Sequence, residues 1–392
     1  MKNHTLLYSF LLSLCFLISC KKDTEPTPSE DFKKEVVRNY ANIVYHSYSD
    51  SYEQAVDLQS KISIFVATPT AANLEACKTV WKQARIPYGQ TEAYRFSGGV
   101  IDGENGKEGL INGWPLDESY IDYVEGGTES GIINHVAKYP NISKNLLIEL
   151  NEVGGETNIS TGYHAIEFLL WGQDLYDDSA GKRPFTDYLP NGTSKNQLRR
   201  GQYLKAVSEL LVEHLAELKN QWSENGAYRQ TFIALPINES LEKICSSIGI
   251  LSKGELAGER MTVAVLSGEQ EDEHSCFSDN TDLDIKMNFK GIRNVYLGKY
   301  IKMNGQTIEG SALKELFERS NKEKAEKTYQ TLLETDVLIQ QITAPFDQLI
   351  KIEKGNNDGK IAKAISSLRR FSDKLVDSAF SLGISAKTDK DE

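Results

Sequence analysis

The chain has 392 residues, 56 acidic and 44 basic, and a formal net charge of -12. That acidity, with no block of Lys or Arg, argues against nucleic acid as a partner; it suits a cation or a positively charged ligand, and equally solubility. The length suffices for two modest domains, each burying its own core.

The N-terminus reads as a secretion signal, with Lys2 for positive charge and an apolar run from Leu6 to Ile18 that is too short to span a bilayer. The run ends in Leu17-Ile18-Ser19-Cys20, similar to a bacterial lipobox. Residues 1–19 are therefore expected to be a lipoprotein signal peptide and Cys20 the acylated first residue that anchors the mature chain. Residues 20–31 read as a flexible tether, polar and carrying Pro26 and Pro28. A cell-envelope, outer-membrane lipoprotein follows, on the periplasmic face or the cell surface. Cys77, Cys245 and Cys276 allow at most one disulfide and no thiolate metal cluster.

Helical periodicity then dominates. Val36, Val37, Tyr40, Ile43, Val44, Tyr48, Ala55, Leu58, Ile62 and Phe65 line one face of a long helix or two shorter ones over residues 32–65. Further helices are expected from Leu74 to Tyr88, stopped near Pro87, then around Leu146-Leu147-Ile148, at His164, and from Gln197 to Trp222. Glu239–Leu251, Glu255–Leu266, Ala312–Arg319, Lys322–Ile342, Pro345–Glu353 and Lys360–Leu382 continue the theme. Residues 94–124 and 176–196 carry turn chemistry, with short strands at most. The pattern predicts an all-α protein: an N-terminal helical bundle over 32–225, a C-terminal one over 226–385, and a polar tail over 386–392. The boundary falls in the weakly patterned stretch 223–238, between Gly226 and Pro236.

The densest motif is Thr161-Gly162-Tyr163-His164-Ala165-Ile166-Glu167-Phe168-Leu169-Leu170-Trp171-Gly172. Thr161 reads as an N-cap and Gly172 as a stop, which puts His164 and Glu167 on one face of a short helix. The helix dipole disfavours a charged imidazole in the first turn, and the neutral form is the one that binds metal. On spacing alone, a surface ion pair explains the two residues.

Gly-x-His-x-x-Glu followed by an apolar run and Trp-Gly resembles the signature of the imelysin family, the M75 peptidase-like proteins. Trp81-Lys82-Gln83-Ala84-Arg85, Glu92-Ala93-Tyr94-Arg95-Phe96 and Trp114-Pro115-Leu116-Asp117-Glu118 are similar to that family's first block. Gly254-Glu255-Leu256-Ala257-Gly258-Glu259-Arg260-Met261 and Glu271-Asp272-Glu273-His274-Ser275-Cys276-Phe277-Ser278-Asp279-Asn280-Thr281 are similar to its second. The resemblance implies two helical bundles with a cleft between them. It also implies an envelope protein that binds iron or another metal, or its chelate, as part of iron uptake, beside other iron-uptake envelope proteins; zinc or calcium are alternative metals.

Two ligands do not make a metal site, so partners must come from the other blocks. His164, Glu167, Glu92, Glu273 and Asp279 are the candidate ligands; Arg85, Arg260, Glu255, Ser275, Ser278 and Asn280 are candidates for holding the bound species. Arg95 and Arg260 read mainly as structural anchors, and Trp81, Trp114 and Trp171 as core. A metallopeptidase, with Glu167 activating water, is the alternative reading. It lacks a second histidine at zincin spacing, because Phe168 occupies the place beside Glu167 and His274 lacks ligand spacing. A metal-free module for a small ligand or peptide is a further alternative.

Overall fold

The computed structural model describes residues 28–389. The expected signal segment, Cys20 and most of the tether lie outside them. The first half contains two long helices, α1 (Glu30–Ala67) and α2 (Ala71–Thr91), and four short ones, α3 (Glu108–Ile111), α4 (Glu118–Ile121), α5 (Gly131–Asn134) and α6 (Lys144–Leu150). It continues with α7 (Gly162–Trp171), α8 (Gln197–Trp222) and α9 (Ala227–Ala234). In the second half α10 (Ile237–Ile250) runs without a break through a π-helix, Leu251–Thr262, into α11 (Val263–Ser267). Then come α12 (Thr281–Leu297), a hairpin of β1 (Lys299–Ile301) and β2 (Thr307–Glu309), α13 (Leu313–Ser320), α14 (Lys322–Ile339), α15 (Phe346–Glu353) and α16 (Lys360–Phe380).

The apolar face read from α1 is the buried one, and α1 packs along both α2 and α8. Ser29 caps α1 by accepting from the Phe32 amide. In the second half α16 packs on α14 and on the π-helix. Helix α12 lies against α2 and joins the two groups, with Gly291 so close to Gln90 that a Cβ there would meet its carbonyl. The hairpin pairs Tyr300 with Ile308, and the Tyr300 hydroxyl donates to Asp50 of α1 at 2.8 Å.

Several boundaries differ from the periodicity reading. Pro87 does not stop α2 but sits inside it, at the price of one backbone hydrogen bond near its C-terminal end. The stretch 131–152 forms only the two short helices α5 and α6, and 223–238 holds α9 rather than an unpatterned linker. Helix α12, not expected, interleaves buried Asp284, Asn288 and Asn294 with apolar Ile285, Phe289, Ile292, Val295 and Tyr296. Cys77, Cys245 and Cys276 are free, buried thiols. Among the described residues, no helix is long and apolar enough to cross a membrane.

Candidate functional site

His164 lies in the third position of α7, a helix buried along its whole length. Thr161 precedes that helix without capping it: its hydroxyl donates to the Leu110 carbonyl at 2.9 Å. Gly162 takes φ +86°, and a Cβ there would strike the Ile111 carbonyl, so only glycine lets the chain enter α7 this close to α3. Gly172, at φ +73°, ends the helix with its amide on Phe168.

His164 Nδ1 and Glu167 Oε2 are 2.8 Å apart, and the other carboxyl oxygen of Glu167 accepts from the Ser278 amide at 3.0 Å and hydroxyl at 2.6 Å. Both side chains are fully buried. Burial pushes the Glu167 carboxyl up to about 8 against the Ser278 hydrogen bonds and Arg85, so at neutral pH it holds a proton and donates it to His164. Burial, then His274 and Arg85, hold His164 far below the usual imidazole range. It is neutral, as the sequence suggested, through desolvation and neighbouring charge. Its Nε2 is buried with no hydrogen-bond partner among the described residues.

His274 completes the pair, with its ring centre 4.7 Å from that of His164. Its Nδ1 lies 3.2 Å from Asp284 Oδ2 and its Nε2 3.4 Å from Asn112 Nδ2. Asp284 can only accept and the Asn112 amide nitrogen can only donate, so the proton sits on Nδ1 and a lone pair on Nε2. Burial and Arg260 bring His274 down to about 4, despite Asp284. Asp284 itself accepts from Arg85 Nε at 3.1 Å and Nη2 at 2.8 Å, from the Ser275 hydroxyl at 2.6 Å and from Asn280 at 3.3 Å. Burial alone would raise its proton affinity, but Arg85 and His274 hold it well below the carboxylate range.

A cleft of about 640 Å³ opens over this group, with Asn112, Trp114 and His274 in its wall. Trp114 touches both imidazoles, at ring-centre distances of 4.9 Å to His164 and 6.3 Å to His274, so it is a site wall rather than core as expected. His164 and Glu167 do not line the cleft; they sit one layer behind Trp114 and His274. The cleft carries seven acidic side chains, including Glu108, Glu255, Glu259 and Asp272, against Arg95 and Arg260. Both arginines are already paired: Glu92 Oε2 lies 2.7 Å from Arg95 and 2.6 Å from Arg260, which also meets Glu255 at 3.1 Å. Glu255 and Arg260 are five apart. In an α-helix that step turns about 140°, but the i→i+5 winding of the π-helix puts them on one face.

The structure thus sorts the candidates into separate places. His164 and Glu167 are together, with Ser278 holding Glu167. Glu92 is not beside them but in the arginine seam with Arg95, Arg260 and Glu255. Glu273 and Asp279 turn away: residue 273 is extended, so Asp272 and His274 face the cleft while Glu273 points to the other side, among Asp347, Asp279 and Asp174. The five expected ligands therefore form no common sphere. Among the described residues, no three His, Cys, Asp or Glu side chains converge to hold an ion. Arg85, Ser275 and Asn280 serve Asp284 instead of the cleft. Trp81 and Trp171 are core. The sequence reading passed over His274, Asp284 and Asn112; the signal for His274 was its place inside the second block, outweighed there by its lack of ligand spacing. For the peptidase reading, Glu167 is a poor base: it is protonated near neutrality, both its oxygens are engaged, and no cleft water can reach it directly.

A mainly helical body with one short β-hairpin, two conjoined helix groups, a paired-histidine centre and an acidic cleft between them defines the class. The model of the imelysin family, peptidase M75, matches residues 44–375, and the chain belongs to that family. It is 25% identical over 267 residues to iron-regulated protein A of Synechococcus elongatus, an alignment covering 66% of this chain and 62% of that protein's length. The fold matches a crystal structure named for an iron-regulated protein A precursor of Parabacteroides distasonis, with TM-score 0.70, 19% identity and coverage of 91% of this chain and 96% of that one. It also matches an imelysin-like protein from Psychrobacter arcticus, with TM-score 0.65, 15% identity and coverage of 92% and 99%.

Proposed function

We propose that this chain is a cell-envelope lipoprotein, anchored through Cys20, that binds iron or another metal as a positively charged species in the inter-bundle cleft and serves iron uptake. The observation that carries it is a pair of neutral imidazoles, each with an Nε2 not spent on a strong hydrogen bond, one in the wall of a cleft whose acids outnumber its arginines and one directly behind it. An acidic wall concentrates cations, and neutral imidazole nitrogen suits transition metals over calcium. Because no three side chains converge on one point, the arrangement favours a metal that brings part of its own coordination, as water or a chelate, over one stripped bare. His274 Nε2 would meet it first. His164 Nε2 is reached only when Trp114 moves, and Glu167 then fixes the ring from behind. The names of the Synechococcus and Parabacteroides relatives, iron-regulated protein A, support the choice of iron.

The test is anaerobic titration of the full chain with ferrous iron and with zinc at pH 7, read by calorimetry with proton release recorded in a second buffer. About one equivalent should bind and release about one proton, since the protonated His164–Glu167 pair must give one up when Nε2 is ligated. His274→Ala and His164→Ala should each weaken binding at least tenfold with helicity unchanged. No stoichiometric uptake, or uptake indifferent to both substitutions, overturns the reading in favour of a metal-free ligand module.

A further inference from the structure

Behind the 269–281 segment, on the side away from the cleft, four carboxylates gather from three parts of the chain. Asp174 comes from the loop after α7, Glu273 and Asp279 from the segment itself, and Asp347 from the first turn of α15. Asp174, Glu273 and Asp347 are at most 3% exposed. Yet Asp174 Oδ2, Glu273 Oε1 and both oxygens of Asp347 have no hydrogen-bond partner among the described residues. The groups feel one another: after burial, Asp279 and Asp347 raise the proton affinity of Asp174, Asp347 raises that of Asp279, and all three raise that of Glu273. The nearby cations offset only part of this charge, Lys351 and Lys82 acting on Asp279 and Lys351 pairing with Asp347. Lys351 Nζ stands 3.6 Å from Asp347 and hydrogen-bonds the outer Asp177 at 3.0 Å, while Lys82 lies over the Trp171 ring.

Four buried oxygens without donors are costly unless a proton or a cation sits among them. From that set we infer that the Asp174–Glu273–Asp347 cluster is a binding site for a hard divalent cation of the calcium or magnesium type, separate from the histidine centre. Oxygen-only donors select this class over iron or zinc, which favour nitrogen or sulfur. The three side chains do not converge on a single point, so the cation keeps several of its waters and binds through one or two carboxylates, the habit of magnesium and of weak calcium sites. It would tie the post-α7 loop and the start of α15 to the segment whose opposite face carries His274, and so hold the inner wall of the cleft in place.

Titrating the full chain with Ca²⁺ and then Mg²⁺, by calorimetry and thermal unfolding, tests this. One equivalent should bind, and millimolar Ca²⁺ should raise Tm by about 3 °C. The paired substitution Glu273→Gln, Asp347→Asn keeps the shapes and removes the repulsion, so it should fold at least as well and lose both effects. His164→Ala, which disables the proposed iron centre, should retain them. Absence of binding by the wild-type chain at 5 mM (roughly five times the weakest dissociation constants of extracellular sites), or binding that survives the paired substitution, removes the proposal whatever becomes of the histidine centre.

Discussion

In the seam between the two helix groups, Glu92 is held by Arg95 and Arg260, and Asp284 by both ends of Arg85. Glu273, Asp347 and His164 are just as buried and keep oxygens or a nitrogen without hydrogen-bond partners among the described residues. Glu92 Oε1, Arg95 Nε and Arg260 Nε also lack hydrogen-bond partners among the described residues, so the difference lies in charge pairing: Glu92 and Asp284 each meet an arginine directly, and Glu167 and Glu273 do not. The seam has paired its charges with one another and so acts as a frame; His164 Nε2 and the Glu273 carboxyl have no such pairing and are open to a ligand.

Breaking the seam should have the largest effect. Arg85→Met would leave Asp284 buried with only the Ser275, Asn280 and His274 donors, and removing one partner of a buried pair costs about 3–5 kcal/mol. Urea unfolding should show a midpoint shift of that size, with Arg260→Met somewhat milder because Arg95 still faces Glu92. A loss below about 1 kcal/mol in both variants would erase the distinction drawn here between frame and receptor.

The two regions should also respond oppositely to pH. Asp284 and Glu92 have folded values below the unfolded ones, so their contribution is present above about pH 4 and is lost as pH falls through the folded values. Glu167 and Asp174 have folded values raised to about 8 and about 7, so their contribution is complete only below about pH 4 and is lost as pH rises towards those values. Thermal scans without divalent cations should therefore show Tm declining between pH 5 and 9. Glu167→Gln keeps the hydrogen bonds to Ser278 and His164 in their protonated arrangement and should flatten part of that decline. An identical slope in the variant would mean that Glu167 does not hold a proton near neutrality.

Much of this was open to a reader of the sequence alone. The apolar stripe of α1, the extent of α8 and the His164–Glu167 adjacency follow from a period of 3.6 and a spacing of three, both local properties. What was not legible depends on distances across the fold. Asp284 sits on α12, where Ile285, Phe289, Ile292, Val295 and Tyr296 do recur at helical spacing, and nothing local shows that Asp284, Asn288 and Asn294 are buried among them. Glu255 and Arg260 meet only because the helix there is wound as a π-helix. The separation of Glu273 from His274 turns on one extended residue, and the family resemblance could bring the block to the site but not say which side chains faced it.

The smallest effect concerns the entry to α7, where the sequence and the structure give Thr161 different jobs. As an N-cap it would accept from an amide of α7, and aspartate would serve as well or better. In the fold it donates to the Leu110 carbonyl from a fully buried position, and an ionised aspartate has no proton to give. Thr161→Ser should then be within about 0.5 kcal/mol of the parent, while Thr161→Val should lose about 1 kcal/mol with the hydrogen bond. Thr161→Asp should lose more than either, because it sets a buried carboxylate against a carbonyl oxygen. Denaturant midpoints for the three variants give the order. An aspartate variant as stable as the serine one would return Thr161 to the capping role and loosen the link between α3 and the histidine helix that the seam otherwise holds.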